Sequence, residues 1–379
     1  MNEKLSILFP TGSFFPAQNG GPDNTVYWIT KALTKRGHQP VIATTDWGLP
    51  SGTPTEVWLE TNYGEVNYTK NPILYLPWGV LRRVLSKIKQ ADIVHLSMIT
   101  YPGSWLTAVI NSWFYGKPMV WSSRGDLDPP MLRRSPRKKA FVLWLINNLV
   151  NKKKLWFHST CDAETRYIKH NFGLDAKVIE ITNYMELPRK VEVSKEKYFL
   201  FIGRIDPKKA IENLIEALAA SPLFRKSPFT LRIVGEHHNE YGKKLERQVE
   251  ESGLAGRVEF LGHRTGVEKE ELLAGAWFTF MPSHTENFGI VVTEALAQGT
   301  PAVASTGTPW ELLETEDAGY WVDNDPDSLT EVIEEILKLS DDRMEELNRN
   351  ALELASEHFD IHQNIDKWVD AYHQILARN

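Results

Sequence analysis

Four charged side chains in the second half of the chain have the spacing of a site that handles an anion. In the stretch HTENFGIVVTEALAQGTP, residues 284–301, Glu286 and Glu294 flank Gly289, and good helix formers follow. A helix that starts at an unhindered glycine offers free N–H groups and a positive dipole end, which suits a phosphate. Neither glutamate can face that phosphate, because like charges repel. A carboxylate beside an anion site is better used to accept hydrogen bonds from hydroxyls, its two oxygens matching a vicinal diol. Glu286 in a loop and Glu294 about one and a half turns into the helix then address opposite ends of a bound diphosphate. Hydroxyls on both sides of a diphosphate describe a nucleotide sugar. Taken alone, two ordinary surface glutamates would give the same pattern.

A second stretch weighs against that plainer reading. After the apolar run YFLFIG comes RIDPKKAIENLIEAL, with Arg204 and Lys209 five residues apart at a strand-to-helix loop. Cleaving a sugar–diphosphate bond leaves new negative charge on the diphosphate. Without a metal, a planar Arg fork and a Lys point charge must compensate it; Lys208 reads as a solvated neighbour. Gly20 and Gly21 precede a helix in the first such loop, where backbone can approach a phosphate or sugar closely. Gly235 and Glu236 after RIV can border the base, with His237 and His238 beside them. Four further features have plainer alternatives. Asp126 and Asp128 form a D-x-D that could hold a metal, but at the wrong end of the chain for donor phosphates, so no metal site is assigned. His95, at the end of DIVHL, either lines a cleft or is a satisfied structural histidine. Residues 323–334 have the acids of a calcium loop but Ser328 where the sharp turn needs glycine, so a helix start with Pro326 in its first turn is the better reading. Trp310, in GTPWELLE, falls in a loop expected to face the cleft.

These residues need strands to end where they sit. Apolar runs at LSILF, DIVHL, KPMVWSS, YFLFIG, FTLRIVG, VEFLG, WFTFMP and PAVAS read as buried strands. Helical spacing fills most gaps, as at 24–36, 208–220 and 241–252. Alternation of this kind predicts an α/β protein with doubly wound parallel sheets and helices on both faces. Ligands of such sheets bind beyond the carboxyl ends of strands, where the candidate residues fall. Residues 56–70 depart from the pattern and read as a hairpin turning at 62–64. The helix pattern lapses at 183–197, which places a domain boundary between 1–187 and 188–359. The last segment carries Ile361, Ile365, Trp368, Val369, Tyr372 and Leu376 on one stripe.

The 379 residues suit two domains, and the composition, 42% hydrophobic and 24% charged, is that of a globular protein. One cysteine, Cys161, allows no internal disulfide and fits a reducing compartment. No apolar run approaches the ~20 residues that span a bilayer, and the N-terminal run reads as a strand over 4–10 rather than a signal peptide, so a cytoplasmic protein is expected. The net charge of −6 conceals a split. Residues 1–187 carry 22 Lys and Arg against 14 Asp and Glu, whereas the remainder carries 21 against 35. No acid occurs from 129 to 161, while Arg133, Arg134, Arg137, Lys138, Lys139, Lys152, Lys153 and Lys154 bracket the apolar AFVLWLINNLV. Residues 131–154 are therefore either a buried helix whose basic ends reach water or a patch that lies on anionic lipid. No nucleic-acid partner is expected.

Gly-Gly early, GRIDPKKAIENLI mid-chain, and E-x7-E followed by EALAQGTPAVAS together resemble the retaining family 4 glycosyltransferases of GT-B fold. The resemblance covers nearly the whole chain and is strongest over 198–322. It implies two Rossmann-like domains facing a cleft, the C-terminal one holding most of the nucleotide, and a final helix (360–379) that crosses back to the N-terminal domain. By resemblance Glu286 contacts the hydroxyls of the donor sugar, Glu294 the ribose, Arg204 and Lys209 the diphosphate, with backbone around Phe288, Gly289 and Ile290 assisting. It further implies a UDP- or GDP-sugar donor, no metal or other cofactor, and a saccharide acceptor, lipid-linked or from bacterial surface-polysaccharide or lipopolysaccharide assembly. One position departs from the family. A His-Gly usually follows the strand KPMVWSS, and Arg124 stands at the His position. Arginine is no general base near neutral pH, but it can bind a leaving phosphate, an anionic sugar or an anionic acceptor. Two other readings of the same fold are a non-hydrolysing sugar-nucleotide 2-epimerase, which needs carboxylate acid/base residues in the N-terminal half, and an inactive nucleotide-sugar-binding protein.

Overall fold

The computed structural model describes residues 3–17, 21–71, 73 and 76–378. They divide into two compact units, one of Met1–Glu186 with Ile361–Asn379 and one of Leu187–Asp360. The first unit is built on eight strands: β1 (Ser6–Pro10), β2 (Gln39–Thr45), β3 (Trp58–Thr61), β4 (Gly64–Thr69), β5 (Ile93–Ser97), β6 (Met119–Ser122), β7 (Leu155–Ser159) and β8 (Val178–Glu180). Their order is β3-β4-β2-β1-β5-β6-β7-β8, parallel throughout except for the antiparallel β3–β4 pair. That pair is the hairpin expected over 56–70. Strands covered on both faces read as continuous apolar runs, and β1, β5 and β6 are buried along nearly their whole length.

The first helix, Gly21–Lys35, buries Val26, Ile29 and Leu33 at helical spacing. They share a core with Ile361, Ile365, Trp368, Val369 and Tyr372 of the last helix, Ile361–Ala377. The apolar stripe of that helix is thus buried as expected, with Leu376 half-buried at its edge. The chain enters it through the Ile361 N–H, which donates to the Met185 carbonyl at 2.9 Å. Arg36 and Asp366 pair at the rim, 2.9 Å apart. Burying each large apolar side chain of this stripe contributes about 1.5–3 kcal/mol, so the helix is an integral part of the first unit.

The second unit holds six strands, all parallel: β9 (Tyr198–Ile202), β10 (Thr230–Val234), β11 (Val258–Gly262), β12 (Phe278–Met281), β13 (Ala302–Ser305) and β14 (Gly319–Val322), in the order β11-β10-β9-β12-β13-β14. Strand order reverses between β9 and β12, as it does between β1 and β5 in the first unit. A crevice opens at such a reversal because the connections leave on opposite faces. At residue 325 the expected helix start is present: Asp325 accepts from the N–H groups of Asp327 and Ser328, and Pro326 opens the helix Pro326–Ile336.

Candidate active site

The site of the second unit grows from the two strand ends that flank the reversal. After β9, Asp206 accepts from the Lys208 N–H at 3.0 Å and caps a single 3-10 turn, Pro207–Lys209. Ala210 then takes φ 48° before the helix Ile211–Ala220 begins. This short, capped turn fixes the direction of Lys209. From the loop after β12, the His284 N–H donates to the Lys208 carbonyl at 2.9 Å and the Glu286 N–H to the Gly307 carbonyl at 3.2 Å. The two loops meet in an ion pair: Lys209 Nζ lies 2.6 Å from Glu286 Oε1, each side chain only 15% exposed. Arg204 is exposed at the end of β9, next to Gly203. Gly235 closes the floor behind it. A Cβ there would stand 2.1 Å from the Gly203 carbonyl oxygen, so glycine lets the ends of β9 and β10 touch.

The helix Ile290–Ala297 starts from Gly289 at φ 84°, a left-handed conformation in which a Cβ would meet the Met281 sulfur at 2.4 Å. Glycine is required there twice over, for its backbone and for its lack of bulk. Phe288 is buried against Trp310 and Phe359, and Trp310 donates its indole N–H to the Phe288 carbonyl. Trp310 is fully buried. It supports the loop from beneath and does not face a cleft, contrary to the expectation. Ile290 is the first helical residue, so the positive end of the helix dipole lies here, with the Val292 N–H already donating to the Gly289 carbonyl at 3.0 Å. Five residues in, Glu294 Oε1 lies 2.6 Å from Lys269 Nζ of the helix Gly266–Gly275, the two side chains 16% and 25% exposed. His237 packs on Phe260, while His238 is exposed.

In the first unit, Arg124 follows β6 at φ 53°. Its Nη1 donates to Asn183 Oδ1 at 2.7 Å, while Nε and Nη2 are buried and make no hydrogen bond within the protein. Burial pulls its pKa down to about 10, opposed by the Glu164 carboxylate and the Tyr372 hydroxyl. His95 is the satisfied structural histidine of the two alternatives. It is 1% exposed, with Nδ1 2.7 Å from Tyr372 Oη and Nε2 2.8 Å from Ser122 Oγ. Ser122 Oγ continues the chain to His158 Nδ1 at 2.8 Å, and His158 Nε2 reaches the Ile181 carbonyl. His95 is therefore not free to touch a substrate. Asp126, a candidate acceptor or cleft residue by sequence, is likewise held inside: it is 4% exposed, and its Oδ2 accepts from both the N–H and the hydroxyl of Thr100. It pins the loop after β5. Among the described residues no group of three or more His, Cys, Asp or Glu is arranged to hold a metal ion. Gly21 is the first residue of its helix, and Gly20 lies outside the described residues.

Sequence reasoning missed Lys269 and Asn183, and it missed the contact of Tyr372 with His95. Lys269 sits among acids in VEKEELL, which reads as a solvated helix face, and no local signal links it to Glu294, 25 residues on. Asn183 falls where the helix pattern lapses.

Two Rossmann-like sheets, each with its loops at a strand reversal, and a last helix returned to the first unit define the GT-B class. Comparison with known proteins agrees. Residues 19–183 match the family model Glycosyltransferase Family 4, and residues 185–354 match Glycosyl transferases group 1. The chain belongs to the group 1, family 4 glycosyltransferases. It is similar to the D-inositol 3-phosphate glycosyltransferase of Gordonia bronchialis, with 30% identity over 209 residues, 48% of this chain and 42% of that one. It also resembles the GDP-mannose:cellobiosyl-diphosphopolyprenol alpha-mannosyltransferase of Xanthomonas campestris, with 24% identity over 78% of this chain and 77% of that one. The chain spans less than half the length of the first curated relatives it matches. Among solved structures, Anabaena HepE in complex with UDP-glucose superposes with a TM-score of 0.74 at 21% identity, covering 97% of this chain and 100% of that one. This last likeness bears on the fold alone.

Proposed function

We propose that the protein is a retaining, metal-independent hexosyltransferase that moves a sugar from a nucleotide-diphosphate donor to a saccharide acceptor, one that is lipid-linked or belongs to surface-polysaccharide assembly. The observation that carries this reading is the Lys209–Glu286 pair, 2.6 Å apart at the strand reversal beside a helix that starts at Gly289. A diphosphate laid against the first turn of that helix gains from its dipole and from Arg204 and Lys209. Glu286 then accepts hydrogen bonds from hydroxyls of the donor sugar, and Glu294 from the ribose diol. As the bond from the anomeric carbon to the phosphate oxygen breaks, the acceptor hydroxyl adds to the same face. Its proton passes to the leaving phosphate oxygen, and nucleoside diphosphate departs. No protein base is needed, which suits Arg124 at the position where the family places histidine. The two buried guanidinium nitrogens of Arg124, Nε and Nη2, would be completed by a phosphate or an acidic sugar. The Xanthomonas relative is named for GDP-mannose and a diphosphopolyprenol-linked acceptor, and HepE was solved with UDP-glucose. The name of the Xanthomonas relative supports a nucleotide-sugar donor and a lipid-linked acceptor.

The test is incubation with UDP- and GDP-hexoses and candidate acceptors in excess chelator, following nucleoside diphosphate release and the anomeric configuration of the product. Release with retained configuration is expected. Appearance of the C2 epimer of the donor would replace the reading with an epimerase. Donor binding without turnover under every condition would leave a nucleotide-sugar-binding protein.

A further inference from the structure

The basic stretch of the first unit carries an aromatic face that its sequence pattern alone does not reveal. The helix Pro136–Leu149 buries Val142, Leu145 and Ile146 and turns Arg137, Phe141, Trp144 and Asn148 outward, a spacing of four, three and four residues. Phe141 and Trp144 are 56% and 58% exposed and stack on each other, ring centroids 6.2 Å apart. A second pair, Trp113 and Phe114, projects from the π-helical segment Asn111–Tyr115 with 66% and 78% exposure. This segment is tied to the end of the same helix: Trp113 donates its indole N–H to the Leu149 carbonyl at 3.0 Å, and Ser112 Oγ accepts from the Asn151 N–H at 3.0 Å. Around these rings Arg133, Arg134, Arg137, Lys138, Lys152 and Lys153 are all exposed. Beside the patch lies a hollow of about 210 Å³ with an apolar floor that includes Ile146, Phe157 and Phe172, and with Lys152, Lys153, Lys177 and Asp175 as its charged lining.

We propose that this face docks the protein on an anionic lipid bilayer, the four rings entering the headgroup boundary, the cations pairing with lipid phosphates, and the hollow receiving one headgroup. The chemistry matches on three counts. Trp and Phe favour the membrane interface, where the ring is buried and the indole N–H keeps a partner. The cations outnumber the one acid in the lining of the hollow, Asp175, and each cation near an anionic surface strengthens binding about fivefold. A second copy of this chain is a poor occupant, because a two-fold contact would set the same cations against each other. Among the described residues no helix is long and apolar enough to cross a membrane, so the contact is peripheral. Binding here does not depend on the transfer reaction.

The experiment is co-sedimentation of the full chain with vesicles of phosphatidylglycerol and phosphatidylcholine, or of phosphatidylcholine alone, at rising salt. Three proteins are compared: wild type, Phe141→Ser with Trp144→Ser, and Arg137, Lys138 and Lys153 changed to Glu. Thermal shift with a UDP- or GDP-sugar, whose candidate site lies in the other unit, checks that the variants are folded. Wild type is expected to pellet with anionic vesicles only. Loss of the two rings should lower partitioning about tenfold, and charge reversal more than a hundredfold. Wild type failing to pellet at low salt, pelleting equally with neutral vesicles, or instead forming a dimer that the same substitutions abolish would each overturn the proposal.

Discussion

Changing Glu286 to Gln should slow the enzyme and yet tighten its grip on nucleoside diphosphate. In the free protein Lys209 is held by the Glu286 carboxylate at 2.6 Å, and at 15% exposure neither group is strongly screened by solvent. A diphosphate must therefore share Lys209 with a carboxylate that already neutralises it. Hydrogen bonds to charged groups contribute about 1.5–3 kcal/mol net. Glutamine keeps the shape and a weaker hydrogen bond, so the lower end applies, and about 1.5 kcal/mol corresponds to roughly tenfold tighter product binding. Turnover should meanwhile fall by roughly 10²–10³-fold, since in the proposed reaction Glu286 contacts the reacting sugar. Isothermal titration of UDP and GDP into wild type, Glu286→Gln, Lys209→Ala and the double variant measures the first effect, and steady-state rates the second. Lys209→Ala should cost more affinity in the Glu286→Gln background than in wild type, because only there is the lysine fully available. If Glu286→Gln leaves nucleoside diphosphate affinity unchanged or weaker, or if the two substitutions simply add, the carboxylate does not compete for Lys209 and the reasoning fails.

Lys269→Ala, which removes the partner of Glu294 at 2.6 Å, should raise the donor KM about three- to tenfold with kcat within about twofold, and Lys269→Arg should restore most of it; a fall in kcat at unchanged KM would refute a positioning role. Burial and the nearby Arg124 charge push His158 from 6.5 down to about 3, so it stays neutral in the folded state while the unfolded chain takes up a proton below 6.5. Its contribution is therefore complete above pH 6.5 and lost as pH falls toward 3, roughly 2 kcal/mol by pH 5. Urea titrations at pH 7 and 5 should show that loss in wild type and a smaller one in His158→Gln, and equal losses would refute it.

The parts of this molecule that were legible in the sequence are those where one residue answers to several local constraints at once. Gly289 must be left-handed, must avoid the Met281 sulfur and must open a helix, and so it announces itself. Arg204 and Lys209 follow a five-residue apolar strand by short, fixed offsets, and a hairpin turning at 62–64 needs only its own alternation. Contacts made across the fold leave no such trace. His95 is satisfied by Tyr372, 277 residues away, and nothing around either position distinguishes a structural histidine from one lining a cleft. Trp310 reads as a loop residue because the loop is local, whereas the cavity it fills beneath Phe288 is assembled from β12, the helix after it and Phe359. The strand β7 hides behind Lys152–Lys154, whose charge reads as the end of the preceding helix rather than the approach to a strand. The segment AFVLWLINNLV shows the limit most clearly. It is apolar on most faces, so its periodicity cannot say which face is inward, and both a buried helix and a lipid-facing one fit. Packing settles it by taking Val142, Leu145 and Ile146 inward and leaving Phe141 and Trp144 in solvent. The helix is buried along one face and bare along the other, so the buried-helix alternative describes the first face, and the two stacked rings beside six exposed cations on the second are what the proposed lipid contact would cover.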